Sequence, residues 1–311
     1  MRVFTPDETA ARLPYDRLVA GLDRVLASGL EAPDRHHHTM PRSGEADAVL
    51  LLMPCWQGAE GYGGVKIVNV TPGNAARGLP AIAASYLVFD ERTGRHLALL
   101  DGGTLTARRT AAVSALAASK LARPESSRLL VVGAGRVASE LPHAYRAVLP
   151  ITRVDVWNKT AANAERLVAR LVAEGIDAHL CADLEAGVAS ADVVACATLA
   201  AEPVVQGAWL RSGQHVDLIG AFTPAMREVD DAAIAKAAIW VDTLTALTEA
   251  GELILPIRAG VITAGDVRGT LPELCANGAP ARAEGAITLF KSVGSAAEDL
   301  AAAIVALEGG I

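Results

Sequence analysis

The sequence predicts an α/β protein with a mainly parallel, doubly wound sheet, and the chain is long enough for a second domain. Three observations support this. From Ser127 onward, short apolar runs alternate with helix-period stretches, as repeated strand–helix units require. One run, Leu129-Leu130-Val131-Val132, enters the turn Gly133-Ala134-Gly135-Arg136-Val137-Ala138, and a helical pattern then opens at Ser139-Glu140-Leu141. The chain has 311 residues, 51% of them hydrophobic, a length that suits two domains.

The N-terminal third reads as helices followed by strands. Thr5-Pro6-Asp7-Glu8 is a helix start, with proline in the first turn and acids favouring the dipole. A second helix covers Tyr15 to Ser28 and ends at Gly29. His36-His37-His38 lies between Pro33 and Pro41 without an acidic or cysteine partner, so a surface strand or loop is expected rather than a metal site. Asp47 to Pro54 is an apolar strand with proline as its stop, and Tyr62 to Val70 is another. Lys66 interrupts that second strand between apolar residues. Pointing outward it is unremarkable, whereas pointing inward it needs a partner or a purpose. Ser85 to Asp90, the turn Thr93-Gly94 and His96 to Leu100 form a hairpin.

A long alanine-rich helix follows Asp101-Gly102-Gly103, with Thr104 or Thr106 as its cap. Arg108 and Arg109 fall near its N-terminus, where cations are disfavoured unless an anion binds there. Arg108 reads as solvated, and Arg109 is the better candidate for an anion site.

In the middle of the chain, the glycine turn is a dinucleotide-binding fingerprint in its proper strand–turn–helix setting. Gly133 permits the tight turn, Gly135 lets backbone approach a pyrophosphate, and Ala138 lets the helix, expected over Ala138 to Leu149, pack close. Further strands are expected at Arg153 to Trp157, Ala178 to Cys181, Asp192 to Thr198, His215 to Gly220 and Ala238 to Asp242, with a helix over Asn163 to Glu174. The cofactor is assigned to Gly133, Gly135, Arg136 and Val137 in the turn, to Asn158, Lys159 and Thr160 at the tip of the second strand, and to Thr198 and Gly220. That tip lacks the acidic residue that holds an NAD ribose; Asp155 comes too early. Amide, ammonium and hydroxyl groups there suit a 2′-phosphate, so NADPH is expected, with NADH possible because lysine is a weaker phosphate fork than arginine.

Charge and composition narrow the partners. A net charge of −7 without a basic stripe argues against nucleic acid, but a small anion can still be held by a few local cations. Cys55, Cys181, Cys196 and Cys275 are far apart, which supports neither a zinc site nor a disulfide framework. No charged-then-apolar leader or membrane-length apolar run is present, so a cytoplasmic location is the default.

Taken together, the chain resembles the ornithine cyclodeaminase/μ-crystallin family over nearly its whole length. The resemblance rests on Gly64-Val65-Lys66, Leu97 to Gly102, Thr106 to Ala112, the glycine fingerprint, Gly220 to Glu228 and Thr288 to Gly294. It implies a homodimer whose substrate and dimerisation domain is discontinuous, built here from 1–118 and 286–311, with a Rossmann-type nucleotide domain over 119–285. The alanine-rich stretch Ser295 to Leu307 fits the returning helix. It also implies that Arg42, Lys66 and Arg109 surround a substrate carboxylate, which for Arg42 rests on the resemblance alone.

At Phe222, cyclodeaminase and alanine dehydrogenase members of the family carry an aspartate that handles the substrate amine. Phenylalanine cannot accept a proton or pair with an ammonium, but it can pack on a saturated ring. The resemblance therefore implies the ketimine reductase branch: Δ1-pyrroline-2-carboxylate reduced to L-proline, with Δ1-piperideine-2-carboxylate to L-pipecolate as a second substrate. A place in proline metabolism and hydroxyproline degradation goes with that. The alternatives are an ornithine cyclodeaminase or alanine dehydrogenase, or a crystallin-like cofactor-binding protein with little turnover.

Overall fold

The computed structural model describes residues 1–58 and 61–309. The chain divides into two units, Met1–Arg109 with Ser295–Ile311, and Thr110–Gly294.

In the first unit, Thr5 caps α1 (Pro6–Ala11) in a reciprocal box with Glu8, and α2 (Tyr15–Ala27) ends before Gly29, whose φ is 79°. Strands β1 (Arg2–Val3), β2 (His36–Met40), β3 (Ala48–Trp56), β4 (Tyr62–Val70), β5 (Ile82–Asp90) and β6 (His96–Asp101) form one sheet, in the order β1-β6-β5-β4-β3-β2. All neighbours are antiparallel except β1 and β6. The three histidines lie on the exposed edge strand β2.

Pro54 does not stop β3, contrary to expectation; it pairs with Val65 inside the strand. Trp56 N–H donates to Glu31 O on the outer side of β3, so by alternation the proline nitrogen also faces outward. It falls between that bridge and the first β2 pair, His36 with Leu52, where no ladder bond is lost.

One face of this sheet carries Met53, Lys66, Tyr86 and Leu100, all buried. Helix α11 (Ala296–Glu308), capped by Ser295, packs on β3, β4 and β5 and against α2. A Cβ on Gly21 of α2 would lie 2.2 Å from Val305 Cγ2, so only glycine permits this helix–helix approach. On the opposite face Leu52, Val65, Ile67, Leu87 and Leu99 are half-buried.

Helix α3 (Gly102–Leu121) runs from the first unit into the second. In the second unit β7 (Arg128–Val132), α4 (Leu141–Arg146), β8 (Arg153–Trp157), α5 (Ala161–Ala173), β9 (Ala178–Leu180), α6 (Leu184–Ser190), β10 (Val193–Cys196) and β11 (His215–Leu218) follow in turn. They lead to α7 (Asp231–Lys236), β12 (Ala237–Val241), α8 (Ala246–Glu249), α9 (Gly251–Arg258), β13 (Val267–Thr270), α10 (Leu271–Asn277) and β14 (Ile287–Lys291). The eight strands are all parallel, in the order β13-β12-β14-β11-β10-β7-β8-β9. Leu130, Val132, Val194, Val216, Leu218, Val241 and Leu289 form the core on one face, and Leu129, Val131, Val193 and Phe290 are buried on the other, beside His215 and Asp217, as a sheet covered on both sides requires.

Two expectations shift here. The return to the first unit comes at Ser295 rather than 286, because Ile287–Lys291 forms a strand between β11 and β12. The crossing out of it comes at Thr110 rather than 119, within α3. The fingerprint helix is also shorter than Ala138 to Leu149. Residues 135–140 wind through turn bonds such as Ser139 N–H to Gly135 O, and α4 begins only at Leu141 with Pro142 in its first turn. Among the described residues, no helix is long and apolar enough to cross a membrane.

Candidate functional site

Lys66 resolves the ambiguity its sequence posed: it points inward from the central strand β4. Its Nζ lies 2.6 Å from Asp299 Oδ2, with side-chain exposures of 5% and 0%. Arg109 converges on the same carboxylate, its Nε donating to Asp299 Oδ1 at 2.8 Å, while its Nη1 reaches Glu298 Oε2 at 2.6 Å. Two cations and two carboxylates thus form one buried, charge-balanced cluster.

An internal anion, supplied by the first turn of α11, therefore already stands beside Arg109. Arg109 stands beyond the first turn of α3, and the cap of that helix is Asp101, which accepts from Thr104 N–H at 2.7 Å, rather than a threonine. Arg108 is not solvated either. Its Nε and Nη2 donate to Leu13 O at 3.1 and 2.9 Å, and its guanidinium covers the Tyr15 ring at 4.4 Å. It fastens α3 to the start of α2.

Burial, with the Arg109 charge beside it, lowers the Lys66 pKa against the pull of Asp299. Burial alone raises Asp299, but Arg109 and then Lys66 outweigh it and hold that carboxyl below its ordinary value. Tyr86, paired with Lys66 across β4 and β5, is fully buried, and a Cβ on Gly64 would lie 2.4 Å from its hydroxyl. This explains the glycine two residues before Lys66. Burial, and secondarily Asp299, push the Tyr86 hydroxyl well above its usual range.

Arg42 is not brought to this cluster. It is exposed, its N–H donates to Asp47 Oδ1 at 2.9 Å, and it follows β2 at the end of the sheet where Val49 pairs with Val70.

In the second unit, strand order reverses between β7 and β10, and the glycine turn leaves β7 at that switch point. Ligands of such sheets bind outside the carboxyl ends of the strands there. Gly133 has φ 120°, and a Cβ on it would lie 2.5 Å from Ala197 O. At Gly135 a Cβ would meet nothing within 4 Å, so this backbone is open to a ligand. These features fit a dinucleotide. Arg136 is exposed and Val137 partly buried. At the β8 tip Lys159 and Thr160 are exposed, and Asn158 Nδ2 donates to Thr160 O at 3.0 Å.

Thr198 and Gly220 follow β10 and β11 and share one buried anchor. Glu228 Oε1 accepts from Thr198 N–H at 2.7 Å and Thr198 Oγ1 at 2.8 Å, and its Oε2 accepts from Gly220 N–H at 2.7 Å. The Glu228 N–H donates to Glu252, and Lys291 Nζ lies 3.9 Å from Glu252 Oε2. Burial, opposed by Lys291 and reinforced by Glu228, pushes Glu252 up to about 7. Phe222 stands two residues past Gly220 and is 49% exposed. Leu199 and Leu244, which follow β10 and β12, are also exposed, so three apolar side chains line the carboxyl edge.

Sequence reasoning missed Glu298, Asp299 and Glu228. Two acids in the first turn of a helix have an ordinary reason to be there, and Glu228 ends the Gly220 to Glu228 stretch with nothing local to mark it as an anchor. The available signal was that Glu298-Asp299 are the only charges in an otherwise apolar stretch from Ser295 to Leu307.

The comparisons with known proteins agree with this architecture. The model of the ornithine cyclodeaminase/mu-crystallin family matches residues 15–309. A Delta(1)-pyrroline-2-carboxylate reductase of Paracoccus denitrificans is 48% identical over 278 residues, covering 86% of this chain and 87% of that protein. The solved structure of Thermococcus litoralis Delta(1)-pyrroline-2-carboxylate reductase with NADH and L-proline superposes with a TM-score of 0.91 at 30% identity, covering 99% of this chain and 97% of that one. An archaeal alanine dehydrogenase dimer with bound NAD gives a TM-score of 0.88 at 30% identity, covering 99% and 95%. Matched over residues 15–309, with its paired cations and its glycine turn in place, the chain belongs to the ornithine cyclodeaminase/mu-crystallin family.

Proposed function

We propose that this protein reduces a cyclic ketimine carboxylate with a nicotinamide cofactor, Δ1-pyrroline-2-carboxylate to L-proline being the principal reaction. The observation that carries this reading is the convergence of Lys66 and Arg109 on Asp299 in a buried cluster. Two cations held in fixed directions provide a fork for one carboxylate, and their internal counter-charges keep the cluster neutral. A neutral cluster suits a substrate that is itself a zwitterion, a carboxylate beside a protonated imine nitrogen. Names of relatives such as the Paracoccus reductase support the same substrate class.

The bound cofactor would supply the hydride, held by the Gly133–Gly135 turn with Thr198 and Gly220. The chain's own residues supply the rest. Lys66 and Arg109 pin the carboxylate so that the imine carbon has one orientation. Lys66, with its pKa lowered, is the group suited to hold or pass the proton that activates the imine. Phe222, with Leu199 and Leu244, offers apolar contact to rings, and no carboxylate stands at 222 to handle an amine.

The Asn158-Lys159-Thr160 tip, with no acid, supports NADPH binding at least as tightly as NADH. The half-buried face of Leu52, Val65, Ile67, Leu87 and Leu99 supports a homodimer in which a second copy covers it. A cytoplasmic enzyme consuming imines from hydroxyproline degradation fits the reading. The test is oxidation of NADPH and NADH with Δ1-pyrroline-2-carboxylate and Δ1-piperideine-2-carboxylate, beside ornithine and alanine controls. Turnover of ornithine or alanine, without ketimine reduction, would overturn it; light scattering at micromolar concentration decides the dimer.

A further inference from the structure

Beside the glycine turn lies an open cavity of about 470 Å³, lined by Gly135, Arg136, Ser139, Asn163, Arg166 and Arg170 among others. Three guanidiniums in one concavity are unexpected in a chain of net charge −7. They are not equivalent. Arg170 is balanced by Glu174 at 3.1 Å and Glu140 at 4.0 Å. Arg166 bonds only the neutral Asn163 amide oxygen, and neither Arg166 nor Arg136 has an ion-pair partner among the described residues. Two like charges on one open wall repel weakly through water, and an anion held between them would turn that repulsion into attraction.

The position narrows that anion. Helix α5 begins just after the tip of β8, and the cavity runs along its first three turns to the glycine turn. In this fold the pyrophosphate rests on the turn and the adenosine ribose extends toward the tip of the second strand. A group on the ribose 2′ carbon would therefore lie between Arg136 and Arg166, while a bare 2′-hydroxyl would need neither. Lys159, the cation expected to do this work, does not line the cavity.

We infer that Arg136 and Arg166 form a phosphomonoester subsite that receives the 2′-phosphate of NADPH and sets cofactor preference, with Lys159 outside it. The inference rests on the reading of the turn as a dinucleotide site. A guanidinium fork is the side chain best matched to a phosphate dianion, and one on each side gives it two directions of approach.

The test is direct binding to the full-length protein. NADPH and NADH are titrated by nicotinamide fluorescence, and adenosine 2′,5′-bisphosphate and AMP by calorimetry, for the wild type, Arg136→Ala, Arg166→Ala and Lys159→Ala. Each arginine variant is expected to weaken NADPH and the bisphosphate by about tenfold or more, and Arg166→Ala to leave NADH and AMP within about twofold. Lys159→Ala should change the ratio by less. Loss in Lys159→Ala alone, unchanged NADPH affinity in both arginine variants, or equal loss for NADPH and NADH in Arg166→Ala would each overturn the inference. A wild type that binds neither nicotinamide cofactor would instead overturn the dinucleotide reading itself.

Discussion

Lys66 and Asp299 form a fully enclosed ion pair, 2.6 Å from Nζ to Oδ2, that joins the central strand β4 to the helix completing the same unit. The pair is stronger as an organiser than as a stabiliser. Burying two charges costs much of what their attraction returns, yet removing one leaves the other stranded.

Asp299→Asn should therefore be severe. It strands Lys66 and Arg109 together, with an expected loss of about 3–5 kcal/mol in unfolding free energy. Chemical denaturation measures it, and a loss below about 1 kcal/mol would mean that water reaches the cluster.

Arg109→Lys separates positioning from charge. The cation remains, but one ammonium cannot serve Asp299, Glu298 and a substrate carboxylate as a fork does. The expected result is a fall in kcat/KM for the ketimine of about 2–4 kcal/mol in transition-state terms, with cofactor affinity nearly unchanged. Near-normal kcat/KM would return Arg109 to a purely structural role. Arg108→Ala, by contrast, should cost stability through its Leu13 and Tyr15 contacts and leave catalysis mild in its response.

Glu228→Gln tests the loop anchor. It replaces one acceptor oxygen with a donor facing Thr198 or Gly220, so the cofactor KM should rise about tenfold while that for the ketimine stays near the wild-type value. Equal changes in both would indicate general loosening instead.

Phe222→Asp should impair ketimine reduction sharply, whereas Phe222→Leu should keep most activity. Because the ring is half exposed, an aspartate there costs little in folding, and on the proposed function its desolvation cost arises only in the substrate-bound state. Kinetics and thermal melts on both variants decide this. Wild-type rates in the aspartate variant would remove the reason for preferring reductase over deaminase.

Stability should also vary with pH through two raised carboxyls, Glu252 at about 7 and Asp217 at about 6, both lifted by burial. The folded state holds these protons more tightly than the unfolded chain. Their contribution is thus full below the ordinary carboxyl range and is lost as pH rises toward 7. Glu252→Gln should flatten the fall in Tm between pH 5 and 7.5, values taken about the folded and unfolded pKa. Asp299 works in the opposite sense, its contribution disappearing as pH falls below its ordinary value.

Much of the fold was legible because its signals are local. Tyr62 to Val70 and Arg153 to Trp157 match their observed strands end to end, since apolar runs bounded by turns mark strands directly. Pro54 was misleading because its tolerance depends on a neighbour strand starting two residues short of it. The strand at Ile287–Lys291 was missed because its place between β11 and β12 is a matter of topology, not periodicity. The same division runs through the site. Lys66 and Arg109 stood out as charges in poor locations, but their partner Asp299 sat where an acid is ordinarily welcome. Only the folded chain reveals that a residue explained locally is needed elsewhere.

The return of α11 also sets an order of events at the ribosome. The second unit is one continuous stretch, Thr110–Gly294, and can form without waiting for α11. The first unit cannot. Its sheet emerges first, with Lys66 and Arg109 lacking the carboxylates of Glu298 and Asp299, and must wait through the synthesis of an entire domain before the last helix arrives to neutralise them.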